Sequence, residues 1–213
     1  IQQTRAKGAE RMSGVYPTTP GFSSMRFTSL TPSLVSWSHS MIRQSRSKGA
    51  QRWQIEAEYP PNLLRSEIAP IVAFLIKQRG QYETFSLYPP DLWATSQGVA
   101  TGTPLVHADT PPSGRSIVTK GWTHSVINIL RAGDFIKFNA HSKVYMLTED
   151  ADSDSAGYAT LNIEPALLSI PADNEAVIVS SVPFNVALVS DTFDFGVKGP
   201  NLHDLKVQFV EVF

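Results

Sequence analysis

Asp150, Asp152 and Asp154 stand at alternate positions, the spacing of the first three ligands in a calcium-binding loop. An EF-hand also needs glycine at its sixth position and a bidentate glutamate at its twelfth, and this chain has Ser155 and Leu161 there. The helix-loop-helix calcium reading therefore fails, and a solvated turn closed by Gly157 fits the pattern better than a weak Ca²⁺ site. Asp150 with Asp152 could also serve as a paired-carboxylate hydrolase, since two acids about 5–9.5 Å apart can cleave a glycoside. Consecutive carboxylates in a turn are more often simply hydrated. The five histidines, 39, 107, 124, 141 and 203, form no His-x-x-x-His pair, and no Gly-x-Ser-x-Gly elbow presents a serine. No phosphate loop or dinucleotide glycine pattern occurs, so no catalytic residue, cofactor or metal is expected and the chain reads as a non-enzyme.

Two kinds of aromatic remain. Trp93 and Trp122, in loop-rich sequence, are candidates for stacking on a glycan or a partner surface, and a carbohydrate-binding β-module is the alternative function they support. Trp37, Trp53 and Arg52 could stack bases, but their alternation suits an aromatic strand face better. Charge argues the same way. Eighteen Lys/Arg against nineteen Asp/Glu give a net charge of -1, which supplies no field for specific nucleic-acid binding. The distribution is uneven, with +7 over residues 1–80 and -8 over 81–213. Complementary packing between copies of the chain would use such a split. With no cysteine, disulfides and thiolate chemistry are excluded, and no apolar run approaches the roughly 20 residues needed for membrane insertion as a helix.

Most of the positioning elements read as strands. Residues 14–32, rich in Pro, Ser, Thr and Gly, suggest an extended arm carrying Tyr16, Phe22 and Phe27. Two alternating runs, 34–46 and 53–59, flank Ser47-Lys48-Gly49-Ala50 and predict one long hairpin turning there. Ile68, Ile71, Val72 and Leu75 repeat at helical spacing, which predicts a single helix over 66–79 that Gly80 stops. Beyond a boundary near Asp91, short runs at 115–120, 126–130, 135–138, 143–148, 158–163, 175–180 and 186–189 predict a small antiparallel barrel or sandwich. Residues 205–213 alternate again as a closing strand. The expected fold is mainly β: a sandwich or split barrel with one α-helix, formed by 12–91 plus 193–213, into which an antiparallel β-barrel domain, 92–192, is inserted. Residues 1–11 read as an extension outside the fold.

The succession of the arm, "RWQIEAEYPP" (52–61), "AFLIKQRGQYETFSL" (73–87) and "GDFIKFNAHSKVYMLTEDADSDSAGYATLNIEPALL" (133–168) resembles distal tail or minor tail proteins of tailed bacteriophages. The resemblance implies a structural virion protein at the tail tip. Its first domain would form a homo-oligomeric ring, commonly a hexamer, that continues the tail tube, meets the tape measure protein and the baseplate hub or tail fibre proteins, and leaves a channel for DNA. The inserted β-barrel would project outward. For self-association the sequence nominates Tyr16, Phe22 and Phe27 in the arm, taken to be exposed, and Arg46 and Lys48 at the hairpin turn.

Overall fold

The computed structural model describes residues 12–48, 51–90, 95–108, 114–198 and 202–213. The strands of its first half are β1 (Met12–Val15), β2 (Ser24–Leu30), β3 (Ser33–Trp37), β4 (Arg43–Ser47), β5 (Arg52–Glu58) and β6 (Leu63–Leu64). The helix α1 (Arg65–Lys77) follows, then β7 (Thr84–Leu87), β8 (Gly102–Val106), β9 (Ser116–Trp122) and β10 (Phe135–Phe138). The rest are β11 (Val144–Leu147), β12 (Ala159–Glu164), β13 (Val177–Ile178), β14 (Phe184–Leu188), β15 (Gly196–Lys198), β16 (Leu202–Asp204) and β17 (Lys206–Glu211). The fold is mainly β with one helix, as the alternating runs predict.

Six strands form the first sheet in the order β1-β7-β14-β17-β5-β2. β5 shows why they pair: Trp53, Ile55, Ala57 and Tyr59 are buried, while Gln54, Glu56 and Glu58 on the other face are only partly covered. α1 adds Ile68, Ile71 and Leu75 to the same core. Its start is set by Glu67, whose carboxylate accepts the Leu64 N–H at 2.8 Å, and its end by Arg79 and Gly80 at positive φ. The helix begins one residue earlier than predicted, at Arg65, and Pro70 lies inside it.

The second sheet has the order β13-β10-β11-β12-β9-β8 and is a nearly closed six-stranded antiparallel barrel. A bridge between Leu105 and Ala176, with Val106 N–H donating to Glu175 O at 2.8 Å, brings its two edges together. Closure removes the exposed strand edges of an open sheet. On β8 and β9, Gly102 and Gly121 have positive φ, and a Cβ on either would lie within 2.5 Å of the other strand's backbone, so only glycine fits.

Three predicted elements are corrected. The chain reverses at Ser38–Ile42, where the Ser38 hydroxyl accepts the Ile42 N–H at 3.1 Å and Met41 takes φ 61°, and Gly49 and Ala50 of the predicted turn lie outside the described residues. β5 therefore pairs with β2, from Ser24↔Glu58 to Leu30↔Arg52, and β3 and β4 prolong that pair as a two-stranded ribbon. Residues 126–130 make no strand. Positive φ at Ser125 and Asn128 interrupts the extended conformation, leaving one bridge, Leu130↔Ala151. Phe184–Leu188, expected in the barrel, lies between β7 and β17 in the first sheet, so the chain is back in that sheet before residue 193. A three-stranded sheet, β15-β16-β6, completes the description.

Candidate functional site

Every residue of β10 is buried, and the alternation explains how. Ile136 and Phe138, with Tyr145 and Leu147 of β11, fill the barrel. Phe135, Val144 and Met146 face the other way and join the core of the first sheet. One strand pair thus serves two cores, one on each face of its pleat. Phe135 anchors the junction, its ring 5.4 Å from Trp53, 5.6 Å from Phe27 and 5.2 Å from Phe184. Such aromatic contacts each add about 0.5–1.5 kcal/mol beyond the area they bury.

A buried ion pair crosses the same junction. Glu211, at the end of β17, and Lys143, just before β11, are 0% and 2% exposed. The Lys143 ammonium donates to Glu211 Oε2 and, at 2.8 Å, to Gln51 Oε1. Glu211 also accepts the Val144 N–H at 2.8 Å and the Trp53 N–H at 3.1 Å, and the indole of Trp53 donates to Val144 O at 3.2 Å. Burial pushes the Glu211 carboxyl up and the Lys143 amine down, while their mutual attraction opposes both shifts. The Phe213 ring lies over Lys143 Nζ at 5.1 Å and Arg52 Cζ at 5.5 Å. A second buried cation, Lys137 of β10, donates to Pro183 O at 3.2 Å and Asn185 Oδ1 at 3.3 Å, beside β14. Its amine is likewise pushed down by burial, against the attraction of Glu211. Leaving any of these charges without its partner would be costly, so the geometry holds barrel and sheet in one relative position.

Next to the junction, a groove of about 530 Å³ opens between the ribbon base and the barrel, lined by Trp53, Met146, Leu167 and Leu168 with the Arg115–Glu164 pair, 2.6 Å apart. It could hold an apolar side chain.

The residues nominated for self-association divide sharply. Tyr16 is 2% exposed, and the Tyr59 hydroxyl donates to its own at 2.9 Å. Its ring lies 5.8 Å from Phe85 and 5.3 Å from Phe209. Phe22 and Phe27 pack against the same core. The exposed aromatic arm is thus corrected: Tyr16, Phe22 and Phe27 cover the chain's own sheet, and β2 is one of its strands. Burial raises the hydroxyl pKa of Tyr59 to about 12 and that of Tyr16 further still. Arg46 and Lys48, by contrast, are exposed on the ribbon, in β4 and just after it. Leu34, Val35, Trp37, Met41 and Ile42 around them are 45–80% exposed. Sequence reasoning read Trp37 as part of a packed face and missed this apolar projection. The lack of any apolar partner run across Arg43–Ser47 was the available signal.

The chemical candidates among the described residues make contacts within the barrel. Asp150, Asp152 and Asp154 accept backbone N–H groups of Ala132, Asn128 and Tyr158 at 2.7–2.9 Å, each fastening a different turn. Among the described residues, no group of three potential ligands could hold a metal ion. Trp122 is 3% exposed, with its indole donating to Thr119 Oγ1 at 2.8 Å, so it cannot be a stacking platform. Trp93 lies outside the described residues. One arrangement has no sequence signature. His141 sits between Ser169 Oγ, 3.0 Å from Nδ1, and Glu175 Oε2, 3.6 Å from Nε2, the order of a Ser-His-Glu triad. Glu175, however, also accepts the Ala140 and Ala172 N–H groups at 2.7 and 3.1 Å, which makes it a clasp between two barrel turns.

Residues 95–182 match the family described as "Distal tail protein pb9, B domain", a span that takes in all six barrel strands. The barrel is similar to a distal tail protein B domain. The match supports a phage distal tail protein, and with it a structural role in the phage tail, in agreement with the resemblance read from the sequence. No curated protein matches the chain.

Proposed function

We propose that this chain is a non-enzymatic structural subunit of the phage tail tip, whose first sheet and helix oligomerise into a ring, hexameric by the family resemblance. The ring joins the tail tube to the receptor-binding apparatus and leaves a channel for DNA, while the B-domain barrel projects outward. The B-domain match over 95–182 carries the reading. Two physical features support it. A distal tail subunit must transmit position between neighbours, and the buried Lys143–Glu211 junction holds barrel and sheet together. A ring is built from heterologous contacts, and the ribbon offers apolar surface that the chain itself does not cover.

Negative-stain electron microscopy of the purified chain tests this. Closed rings with a central hole are expected, whereas single particles at every concentration would overturn it. On this reading Ser169→Ala leaves assembly unchanged, because His141 and Ser169 act only as turn fasteners.

A further inference from the structure

The ribbon and its best-matched surface lie at opposite ends of one sheet. β5 meets the ribbon at the Leu30↔Arg52 end of its pairing with β2, and its far end is fixed by Glu58 against Ser24 and Lys206. Beside that far end, a shallow pocket of about 190 Å³ is lined by Leu188, Phe193, Asp194, Lys206 and Val207. Phe193 and Phe195 stack there with ring centroids 6.1 Å apart, and Phe195 and Val197 are 47% and 63% exposed. Asp191 and Asp194 are exposed next to them. The Asp191–Phe195 segment here is apolar and acidic, and Lys206, which lines the same pocket, is paired with Glu58.

The ribbon is apolar and basic. Pairing places Trp37 opposite Arg43 and Val35 opposite Ser45 on one face, with Met41 and Ile42 at the tip. From residue 31 to 48 the ribbon carries Arg43, Arg46 and Lys48 and no acidic residue. At roughly 3.3 Å per residue, the length of β5 plus the ribbon separates tip and patch by roughly 40 Å, so one chain cannot bring them together. Two complementary surfaces at opposite ends make a heterologous, head-to-tail contact, the kind that closes into a ring.

We propose that the ribbon tip of one copy (Trp37, Met41, Ile42 and Arg43) docks on the Phe195, Val197 and Asp194 patch of the next copy. This rests on the ring reading and names the surfaces that make the ring. Complementary charges fix the register, and the apolar groups supply the buried area.

The test uses the full chain and sedimentation velocity. Arg43→Glu is expected to raise the concentration needed for assembly about tenfold or more, and adding Asp194→Arg to restore it, with thermal melting unchanged throughout. Because the chain has no cysteine, Met41→Cys with Val197→Cys and a short bismaleimide should give a ladder of cross-linked oligomers, where either single variant gives none. Wild-type protein that stays monomeric at all concentrations overturns the ring reading. Wild-type rings that persist unchanged in Arg43→Glu overturn the docking inference alone. Loss of assembly that Asp194→Arg does not rescue, with no ladder, also overturns it, because the ribbon then meets some other surface.

Discussion

The junction and the ribbon start from the same end of the first sheet and invert each other's chemistry. At the junction, charged Lys143 and Glu211 are buried among aromatics. On the ribbon, Trp37, Met41 and Ile42 stand in solvent. A buried charge persists only where every partner is held in place, so the junction is built for a fixed geometry within one chain. An exposed apolar strand pair gains little within its own chain, and on the proposed reading its value lies in a contact with another molecule. On the proposed reading, the molecule separates what must stay rigid from what docks.

That contrast can be broken from the junction side first. Glu211→Ala should destabilise the chain by about 3–5 kcal/mol in urea unfolding, because it strands Lys143 and two backbone N–H groups in the interior. Lys143→Met should cost less, since Glu211 keeps its bonds to Trp53 and Val144 and can take up a proton. A loss below about 1 kcal/mol for Glu211→Ala would mean that barrel and sheet are only loosely joined.

The buried tyrosine pair gives a pH-dependent test of the supposed arm. Tyr16 and Tyr59 have raised folded-state pKa values, so their stabilisation is complete below about pH 10 and is lost as pH rises through 12. Thermal melting should fall over that window, and Tyr16→Phe should flatten the fall. An arm that was free in solution would show no such difference. In the barrel, Asp152→Ala should cost about 1 kcal/mol through the Asn128 N–H it leaves unpaired, with no dependence on added Ca²⁺. The smallest effect on stability belongs to the ribbon: Trp37→Ser with Ile42→Ser should change unfolding by less than about 0.5 kcal/mol and yet, on the proposed ring reading, abolish assembly. A large loss of stability there would show that the ribbon packs within its own chain.

Much of the architecture was legible because burial imposes a local period. The alternation of Trp53, Ile55, Ala57 and Tyr59 marked β5, the Ile68–Leu75 spacing marked α1, and short runs between turn residues marked β9 to β12. The candidate site was less legible. Trp122 and Trp37 are the same residue type in similar polar surroundings, yet one is enclosed by Thr119 and the barrel wall while the other projects into solvent. Thr119 is close to Trp122 in the chain, but the rest of the barrel core that Trp122 joins comes from other strands, so neighbours in sequence do not distinguish the two tryptophans.

Composition and periodicity by themselves determined a mainly β chain with one helix, without cysteine chemistry, divided into a basic first part and an acidic remainder. Tertiary structure alone decided that β10 and β11 serve two cores, that Glu211 reaches Lys143 across 68 residues, and that Tyr16 turns inward. A side-chain period records which residues avoid water; it carries no record of which distant strand supplies the cover, and that is fixed only when the whole chain closes.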